Sequence, residues 1–547
     1  MRTRRKLMTW DRVPGWFCDW HIAGWFDSGL QHNAEPNLFD KKAATRWTED
    51  NLSPWGGVEK IADVPKNAAS GPSLDAPFAL LPLALSPILS LNDATMEYPE
   101  WQKRLGDHNT DTWPKLWYAL ALVDSPDEHD ATLHFSGWDG CRLWINGAML
   151  FDEHSYHHII PDMEEVSFRL KKGLNSFLFQ LDRDGMTARI DIANQPEALA
   201  KLRGIAVGEP PEPRRVSNFT ALARHARTLK IKAPFKGETL DDLRKWQKRF
   251  GTFYHRCLGP EIPRGKTEPA PKKINEFKGE NYTRTRYHLP AEGESEIPAY
   301  VWIPDTGKAN GRTLIIAHGH ENPERTAGVV KRTGPVMTPT KATENYAEQM
   351  ALKGFVVGMI HERNFGERRD LRGDQDPCNQ SGLRAQAMGL TLPRLHISDL
   401  HRLYDFLGTF PEANLQRIGL GGLSGGGSLS YIVGAFDERF KAVSVFCGMT
   451  RYEDYAMGAG CGMQVVPGLY PTGDVGEVLS LIAPRPLLVA QGRLDSTFYV
   501  PRVKSIVEDA RRAYKAAGAE DRLQLAIMEL AHQFDPDLAE TFFLKWL

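Results

Sequence analysis

The sequence predicts two folded parts of different class: an all-β sandwich in the amino-terminal third, and a mostly parallel sheet with helices on both faces in the carboxy-terminal half. Three observations carry this. Of 14 tryptophans, 11 lie at or before Trp144. Between 117 and 192, short runs alternate apolar and polar residues, which is a strand pattern. From about Tyr282 onward, continuous apolar runs alternate with helical periodicity, the signature of a sheet buried on both faces.

The 547 residues allow three or four domains. The reading reduces this to two domains, 1–207 and 276–547, with a connector over 208–275. Apolar residues at 41 % and charged residues at 25 % exclude a largely disordered chain. Lys plus Arg number 67 and Asp plus Glu 69, a formal charge of −2. Such a chain has no electrostatic reason to seek nucleic acid or an anionic membrane. Cys18, Cys141, Cys257, Cys378, Cys447 and Cys461 show no CxxC and no metal-finger spacing. They read as buried thiols, with a Cys447–Cys461 disulfide permitted by their spacing. The basic start, Met1 to Lys6, runs straight to Trp10, Asp11 and Arg12 with no apolar core of a signal peptide. Pro77 to Leu91 is too short to span a bilayer and contains Pro82 and Pro87. The expectation is a soluble chain, cytoplasmic as it stands and secreted if a leader has been removed.

In the amino-terminal part, Trp117 to Val123 is an apolar run with aromatic residues. Thr132 to Phe135 and Cys141 to Ile145 follow. Asn146-Gly147 then marks a tight hairpin, because both residues tolerate positive φ. Val166, Phe168 and Leu170 alternate with polar residues, and Lys172-Gly173 makes a turn. Phe177, Phe179 and Leu181 alternate again, and Arg189 to Ile192 closes the series. Strands at this spacing predict a β-sandwich. Its tryptophans fill the core and interface, or stack on sugar rings where exposed. Asp152, His154, His157 and His158 cluster on what reads as a solvated loop, with metal binding the alternative.

The connector begins at the Pro-rich break Gly208 to Pro213. Thr239 followed by Asp242 is a capping box with Asp in place of Glu. It opens a helix through about Arg256 that Leu258-Gly259-Pro260 stops. Pro263 to Lys273 is again rich in Pro and Lys and reads as linker.

In the carboxy-terminal half, Thr283 to Leu289 and Pro298 to Ile303 predict a hairpin around Gly293. Leu314 to Ala317 is a short strand that runs into His318-Gly319-His320. Tyr346 to Leu352 is a helix stopped by Gly354, and Phe355 to Ile360 is the next strand. Leu400, Leu403, Tyr404 and Leu407 share one helical face. Arg417 to Gly421, Ala442 to Phe446, Pro486 to Ala490 and Leu523 to Met528 complete the strands.

Gly422-Leu423-Ser424-Gly425-Gly426 follows a strand directly and precedes a helical segment, Ser428 to Ala435. That is the context of a nucleophile elbow, whose turn is too tight for side chains beside the serine. Asp495 comes just beyond Pro486 to Ala490, and His532 just beyond Leu523 to Met528. A parallel sheet brings such loops to one edge. Ser, Asp, His is also the chain order of α/β-hydrolases. The expectation is a triad. His532 takes the Ser424 proton and returns it to the leaving group, while Asp495 fixes the imidazole tautomer. An oxyanion needs two N–H donors, expected from Gly425 and His320. Metal ligation by His318 and His320 is the alternative, but a two-residue His pair lacks further ligands. No metal and no cofactor are expected.

Trp138 to Gly147, with Leu170 to Asn175, resembles the galactose-binding-like jelly-roll domains attached to many sugar-acting enzymes. His318-Gly-His320, Phe365 to Arg368, Arg417 to Gly427, Gly492 to Asp495 and His532 resemble the dienelactone-hydrolase-like and acetyl-xylan-esterase-like α/β-hydrolases. The resemblance spans roughly Tyr282 to Leu547. It implies an α/β-hydrolase fold and a carboxylic ester hydrolase, often one that removes acetyl or similar groups from sugars. Glu321 to Arg325 departs from relatives that carry another glycine there. The serine also lacks the neighbouring arginine expected of glucuronoyl esterases, and no cysteine stands at the nucleophile position.

Glu321 to Gln386 is long for a connection and reads as a lid. Its arginines, Arg363 to Arg369, hold an acidic substrate or pair with Glu367 and Asp370 on a solvated loop. The expected function is serine ester hydrolysis of a small-molecule or carbohydrate ester, with no nucleic-acid or membrane partner. The alternatives are a prolyl-oligopeptidase-type serine peptidase and a carbohydrate-binding protein with an inert hydrolase fold. No propeller-length repeat supports the peptidase.

Overall fold

The computed structural model describes residues 17, 19–27, 79–82, 88–90 and, with interruptions, 115–547. The longer interruptions are 138–139, 155–163, 182–184, 204–224, 262–269, 331–344, 370–376 and 455–460. Contacts divide the chain into two compact units, Met1–Arg224 and His225–Leu547. The boundary read at 207 falls outside the described residues.

Among the described residues, the first unit contains ten strands: β1 (Asp19–Asp27), β2 (Ala79–Pro82), β3 (Ile88–Ser90), β4 (Lys115–Ser125), β5 (His129–Gly137), β6 (Gly140–Ile145), β7 (Ala148–His154), β8 (Glu164–Leu170), β9 (Gly173–Leu181) and β10 (Gly185–Asp191). They form a six-stranded sheet in the order β2-β1-β4-β9-β6-β7 and a four-stranded sheet in the order β3-β10-β5-β8. The two sheets share one core, where Phe135 of β5 meets Phe179 of β9 edge-on at 5.7 Å. The hairpin between β6 and β7 turns on Asn146 (φ 53°) and Gly147 (φ 83°), the backbone that a tight antiparallel turn requires. Arg142 holds Asp152 in a two-pronged ion pair at 2.8 and 2.9 Å. Asp152 is thus committed to an arginine, while His157, His158 and the His154 side chain lie outside the described residues. Trp144 is half-buried; the other tryptophan side chains of this unit also lie outside the described residues.

In the second unit, the sheet comprises β11 (Lys272–Lys278), β12 (Tyr282–Pro290), β13 (Glu296–Pro304), β14 (Thr313–Ala317), β15 (Val356–Ile360), β16 (Ile418–Leu423), β17 (Ala442–Phe446), β18 (Leu487–Gly492) and β19 (Leu523–Met528). Its order is β11-β12-β13-β15-β14-β16-β17-β18-β19. From β15 to β19 every pairing is parallel; β11, β12 and β13 run antiparallel to their neighbours. The main helices are α1 (Leu240–Leu258), α2 (Tyr346–Leu352), α3 (Pro377–Ala387), α4 (Leu392–Leu407), α5 (Gly425–Phe436), α6 (Val475–Ile482), α7 (Val500–Ala516) and α8 (Pro536–Trp546).

The apolar runs of the central strands split residue by residue between two cores. Ile315, Val443, Val445, Leu487 and Val489 face one side with α1, α4, α5, α6 and α7. Leu314, Ile316, Phe446, Leu488 and Ala490 face the other with α2 and α8. Each such side chain contributes about 1.5–3 kcal/mol on full burial, so the sheet centre is held from both faces. The capping box of α1 is formed: Thr239 Oγ1 accepts from the Asp242 N–H at 3.2 Å, and the Asp242 carboxylate accepts from the Thr239 N–H, also at 3.2 Å. Trp246 and Phe250 of this helix stack at 4.7 Å inside the second unit's core.

Strand β11 is a departure from the linker reading, and the boundary read at 275 falls inside it. Every residue of β11 is exposed, so no alternating apolar pattern marked it. Its lysines suit an edge strand, where charge discourages further pairing. Among the described residues no helix is long and apolar enough to cross a membrane.

Candidate active site

Each predicted site residue follows the carboxyl end of a parallel strand. His318, Gly319 and His320 follow β14, Ser424 follows β16, Asp495 follows β18 and His532 follows β19. The register of a parallel sheet brings these ends to one edge.

Ser424 has φ 59° and ψ −123°, a conformation that L-residues rarely adopt and that costs about 1–3 kcal/mol. The turn is held by the Ser424 N–H donating to the Phe446 carbonyl at 2.9 Å. The Ser428 N–H donates to the Ser424 carbonyl at 2.9 Å and begins α5. The helix therefore starts at Gly425, three residues before the expected Ser428. Glycine is a poor helix former, but close packing leaves no room for larger residues there. A Cβ on Gly426 would lie 2.2 Å from the Ala317 carbonyl oxygen of β14. The clash is with backbone, so Gly426→Ala is expected to lower the unfolding free energy by about 1–3 kcal/mol or more. Denaturant unfolding checks this; an unchanged midpoint would mean that α5 can step off the sheet without cost.

Gly319 and His320 lie against the same turn. A Cβ on Gly319 would sit 2.9 Å from Ser424 Cβ, and a Cβ on Gly425 would sit 3.0 Å from Nδ1 of His320. The two residues expected to supply oxyanion donors are therefore neighbours across the turn. The imidazole of His320 is exposed, and its Nε2 lies 3.0 Å from Cys461 Sγ. His318 is fully buried and belongs to the scaffold. Its Nδ1 contacts the Gly319 carbonyl at 2.7 Å, and its Nε2 accepts from the Glu362 N–H at 2.9 Å. Burial pushes its pKa down to about 3. Both ring nitrogens are engaged, so a metal shared by His318 and His320 has no ligand atom to use on His318.

Asp495 and His532 meet directly, with Nδ1 3.0 Å from Oδ1. Asp495 is wholly buried. Its Oδ2 accepts from Gln491 Nε2 at 2.7 Å, and its Oδ1 accepts from the Phe498 N–H at 3.4 Å. The Phe498 ring lies over His532 at 5.9 Å, 25° from parallel. Burial alone would lower the His532 pKa. The charge and hydrogen bond of Asp495, with the charge of Glu321, outweigh it and raise the pKa above 6.5.

The turn after β17 joins the serine side to the His–Asp pair. Phe446 accepts the Ser424 N–H, and a Cβ on Gly448 would lie 2.7 Å from the Ser424 carbonyl. Between them, Cys447 sits within 4.8 Å of the facing Asp495 and His532 ligand atoms. Cys447 and Cys461 are both thiols, not joined to each other. Sequence reasoning missed Cys447, Gln491, Phe498 and Glu321. Gln491 alone carried a local signal, as the polar residue at the end of an apolar strand and four residues before Asp495.

The arginine loop is charge-paired, but to other carboxylates than the expected Glu367. Arg363 binds Asp399 at 2.8 Å and Glu292 at 2.5 Å, and Arg368 binds Asp399 at 2.7 Å. Glu367 instead pairs with Arg286 and His288; Asp370 lies outside the described residues. Asp399 is buried, so these cations anchor the loop to α4. A cavity of about 460 Å³ beside them, lined by Arg363, Asn364, Arg368 and Arg384, includes none of the predicted catalytic residues.

Comparison with known proteins finds similarity at low sequence identity. No family model matches the chain. The candidate hydrolase YtaP of Bacillus subtilis (strain 168) is 23 % identical over 269 residues, 47 % of this chain and 86 % of that protein. The uncharacterised protein PA2218 of Pseudomonas aeruginosa is 32 % identical over 108 residues. That match covers 19 % of this chain and spans only 25 % of the Pseudomonas protein's length. Among solved structures, a candidate acetyl xylan esterase from Bacteroides fragilis aligns with a TM-score of 0.48 at 17 % identity. It covers 59 % of this chain and 85 % of that one. A glucuronoyl esterase from Solibacter usitatus aligns with a TM-score of 0.43 at 15 % identity, over 58 % of this chain and 97 % of that one.

Proposed function

We propose that this chain is a serine carboxylic ester hydrolase that acts through an acyl-enzyme on Ser424 and removes acyl groups, such as acetyl, from a carbohydrate or related small ester. The observation that carries the reading is the positive-φ serine between β16 and α5, on the same sheet edge as the Asp495–His532 pair. In this reading Ser424 Oγ attacks the ester carbonyl carbon while His532 Nε2 takes its proton. The alcohol leaves with that proton, and water, activated by the same imidazole, releases the acid. The backbone N–H groups of Gly425 and His320 bind the oxyanion. The resemblance to named hydrolases and esterases supports the class, and the engagement of Arg363 and Arg368 by Asp399 favours a neutral acyl sugar over an acidic one. The reading extends to the amino-terminal sandwich, 1–207, as a galactose-binding-like jelly roll, with 208–275 as connector and 276–547 as catalytic domain.

A fluorophosphonate probe is expected to label the peptide that contains Ser424, and p-nitrophenyl acetate and acetylated sugars to be hydrolysed. Faster turnover of dipeptide anilides than of esters would shift the reading to a serine peptidase. No label and no turnover, with binding on a glycan array, would make it an inert hydrolase fold that holds sugar.

A further inference from the structure

We propose that His320, Cys378 and Cys461 form a binding site for a thiophilic divalent cation of the zinc class. The two-residue spacing of His318 and His320 argued against a metal, and His318 is indeed taken up by the scaffold. The fold gives His320 other company, from 58 and 141 residues away in sequence (378 − 320 and 461 − 320).

The geometry fits the ion. Imidazole Nε2 and the Cys461 sulfur are 3.0 Å apart. One ligand atom from each of the three residues lies within 4.8 Å of the others. Tetrahedral zinc, with Zn–S about 2.3 Å and Zn–N about 2.0–2.1 Å, sets its ligand atoms roughly 3.5–3.8 Å apart. Side-chain shifts of about an ångström close the difference. An imidazole with two sulfur ligands is the donor set that soft cations prefer over magnesium or calcium.

The two cysteine-bearing segments are already locked together. Cys378 opens α3, and Cys461 lies on the turn 461–464. A Cβ on Gly462 would lie 2.4 Å from the Cys378 carbonyl oxygen, so only glycine lets the two backbones approach this closely. The Gly462 N–H donates to Asn379 Oδ1 at 2.8 Å. The Cys461 N–H donates to Gln464 Oε1 at 3.2 Å, and Gln464 Nε2 donates to Ser428 Oγ on α5 at 2.9 Å. The site thus stands on elements tied to the Ser424 turn. The Phe365 ring braces His320 edge-on at 5.5 Å. Cys378 is buried, Cys461 half-buried and His320 exposed, which leaves an entry path and a fourth position for water or another oxygen ligand.

Binding releases the two thiol protons to solvent. With the cation on Nε2, the ring proton of His320 resides on Nδ1, the nitrogen that faces Gly425. The site would therefore set the imidazole tautomer beside the expected oxyanion position. The metal proposal does not depend on ester hydrolysis, and its test needs no turnover.

The reduced full-length chain is titrated with Co²⁺ under an oxygen-free atmosphere, followed by Zn²⁺. The expected result is one Co²⁺ per chain with a thiolate-to-cobalt charge-transfer band, and displacement by one equivalent of Zn²⁺. Cys461→Ser should diminish the band, and His320→Asn should weaken binding by about tenfold or more. Circular dichroism checks that each variant is folded; His320 is exposed, so its replacement keeps the test usable if Cys461→Ser does not fold. A pale octahedral cobalt spectrum, an undiminished band in both variants, or a Cys378–Cys461 disulfide that resists reductant would overturn the proposal.

Discussion

Ser424→Ala is expected to lower kcat for ester hydrolysis by about 10⁶-fold, the scale seen when the nucleophile of a serine triad is removed. The fold should survive, because alanine keeps a Cβ and the side chain of Ser424 makes no capping hydrogen bond to α5. A glycine at this position is informative in a different way. The backbone at φ 59° and ψ −123° disfavours any Cβ, so Ser424→Gly should be about 1 kcal/mol more stable than Ser424→Ala while equally inactive. Stopped assays with p-nitrophenyl acetate and denaturant unfolding of the two variants check both statements. Retained turnover in both variants would remove Ser424 from the mechanism. Equal stability would mean that the turn is not strained.

Asp495→Asn should lower kcat by about 10⁴-fold and also move the pH profile. Asp495 accepts from His532 on one oxygen and from Gln491 on the other. An asparagine has one acceptor oxygen and cannot serve both donors. If its oxygen stays with Gln491, its amide donates to His532 Nδ1 and forces the ring proton onto Nε2, where it blocks base catalysis. The pH effect has a definite sign. A general base works when neutral, so activity falls as pH drops through the His532 pKa. Asp495 and Glu321 raise that pKa against the effect of burial, which puts the acid limb of kcat/KM above the ordinary histidine range. Removing the Asp495 charge should shift the limb to lower pH while the plateau falls. A limb that stays in place would mean that another group controls it. Linkage runs the same way: stability from the charged pair is present below the unfolded histidine pKa and is lost as pH rises through the raised folded value.

Much of the second unit was legible because burial on both faces writes a strong pattern. The helix Tyr346–Leu352 and the strands Ala442–Phe446 and Leu523–Met528 occupy the predicted ranges. Asn146-Gly147 likewise predicts its hairpin from conformational preference alone. Illegible elements lacked that pattern. Strand β11 is exposed throughout and lies in a Lys-rich stretch, and only its pairing with β12 makes it a strand. The early start of α5 contradicts the low helix propensity of Gly425 to Gly427. It follows from the closeness of β14, a tertiary fact.

The sequence by itself determined the class of the sheet, the turn that carries Ser424 and the order of the three candidate catalytic residues. Those features rest on local chemistry: apolar periodicity, glycines flanking a serine, and loops that must follow strands. Tertiary structure alone decided the surroundings. It placed Cys447 beside Asp495 and His532, tied Arg363 and Arg368 to Asp399, took His318 into a scaffold with Glu362, and set Cys378 and Cys461 beside His320. Those contacts join residues far apart along the chain. Their geometry depends on which strands neighbour one another and how closely helices approach, and no local pattern encodes that.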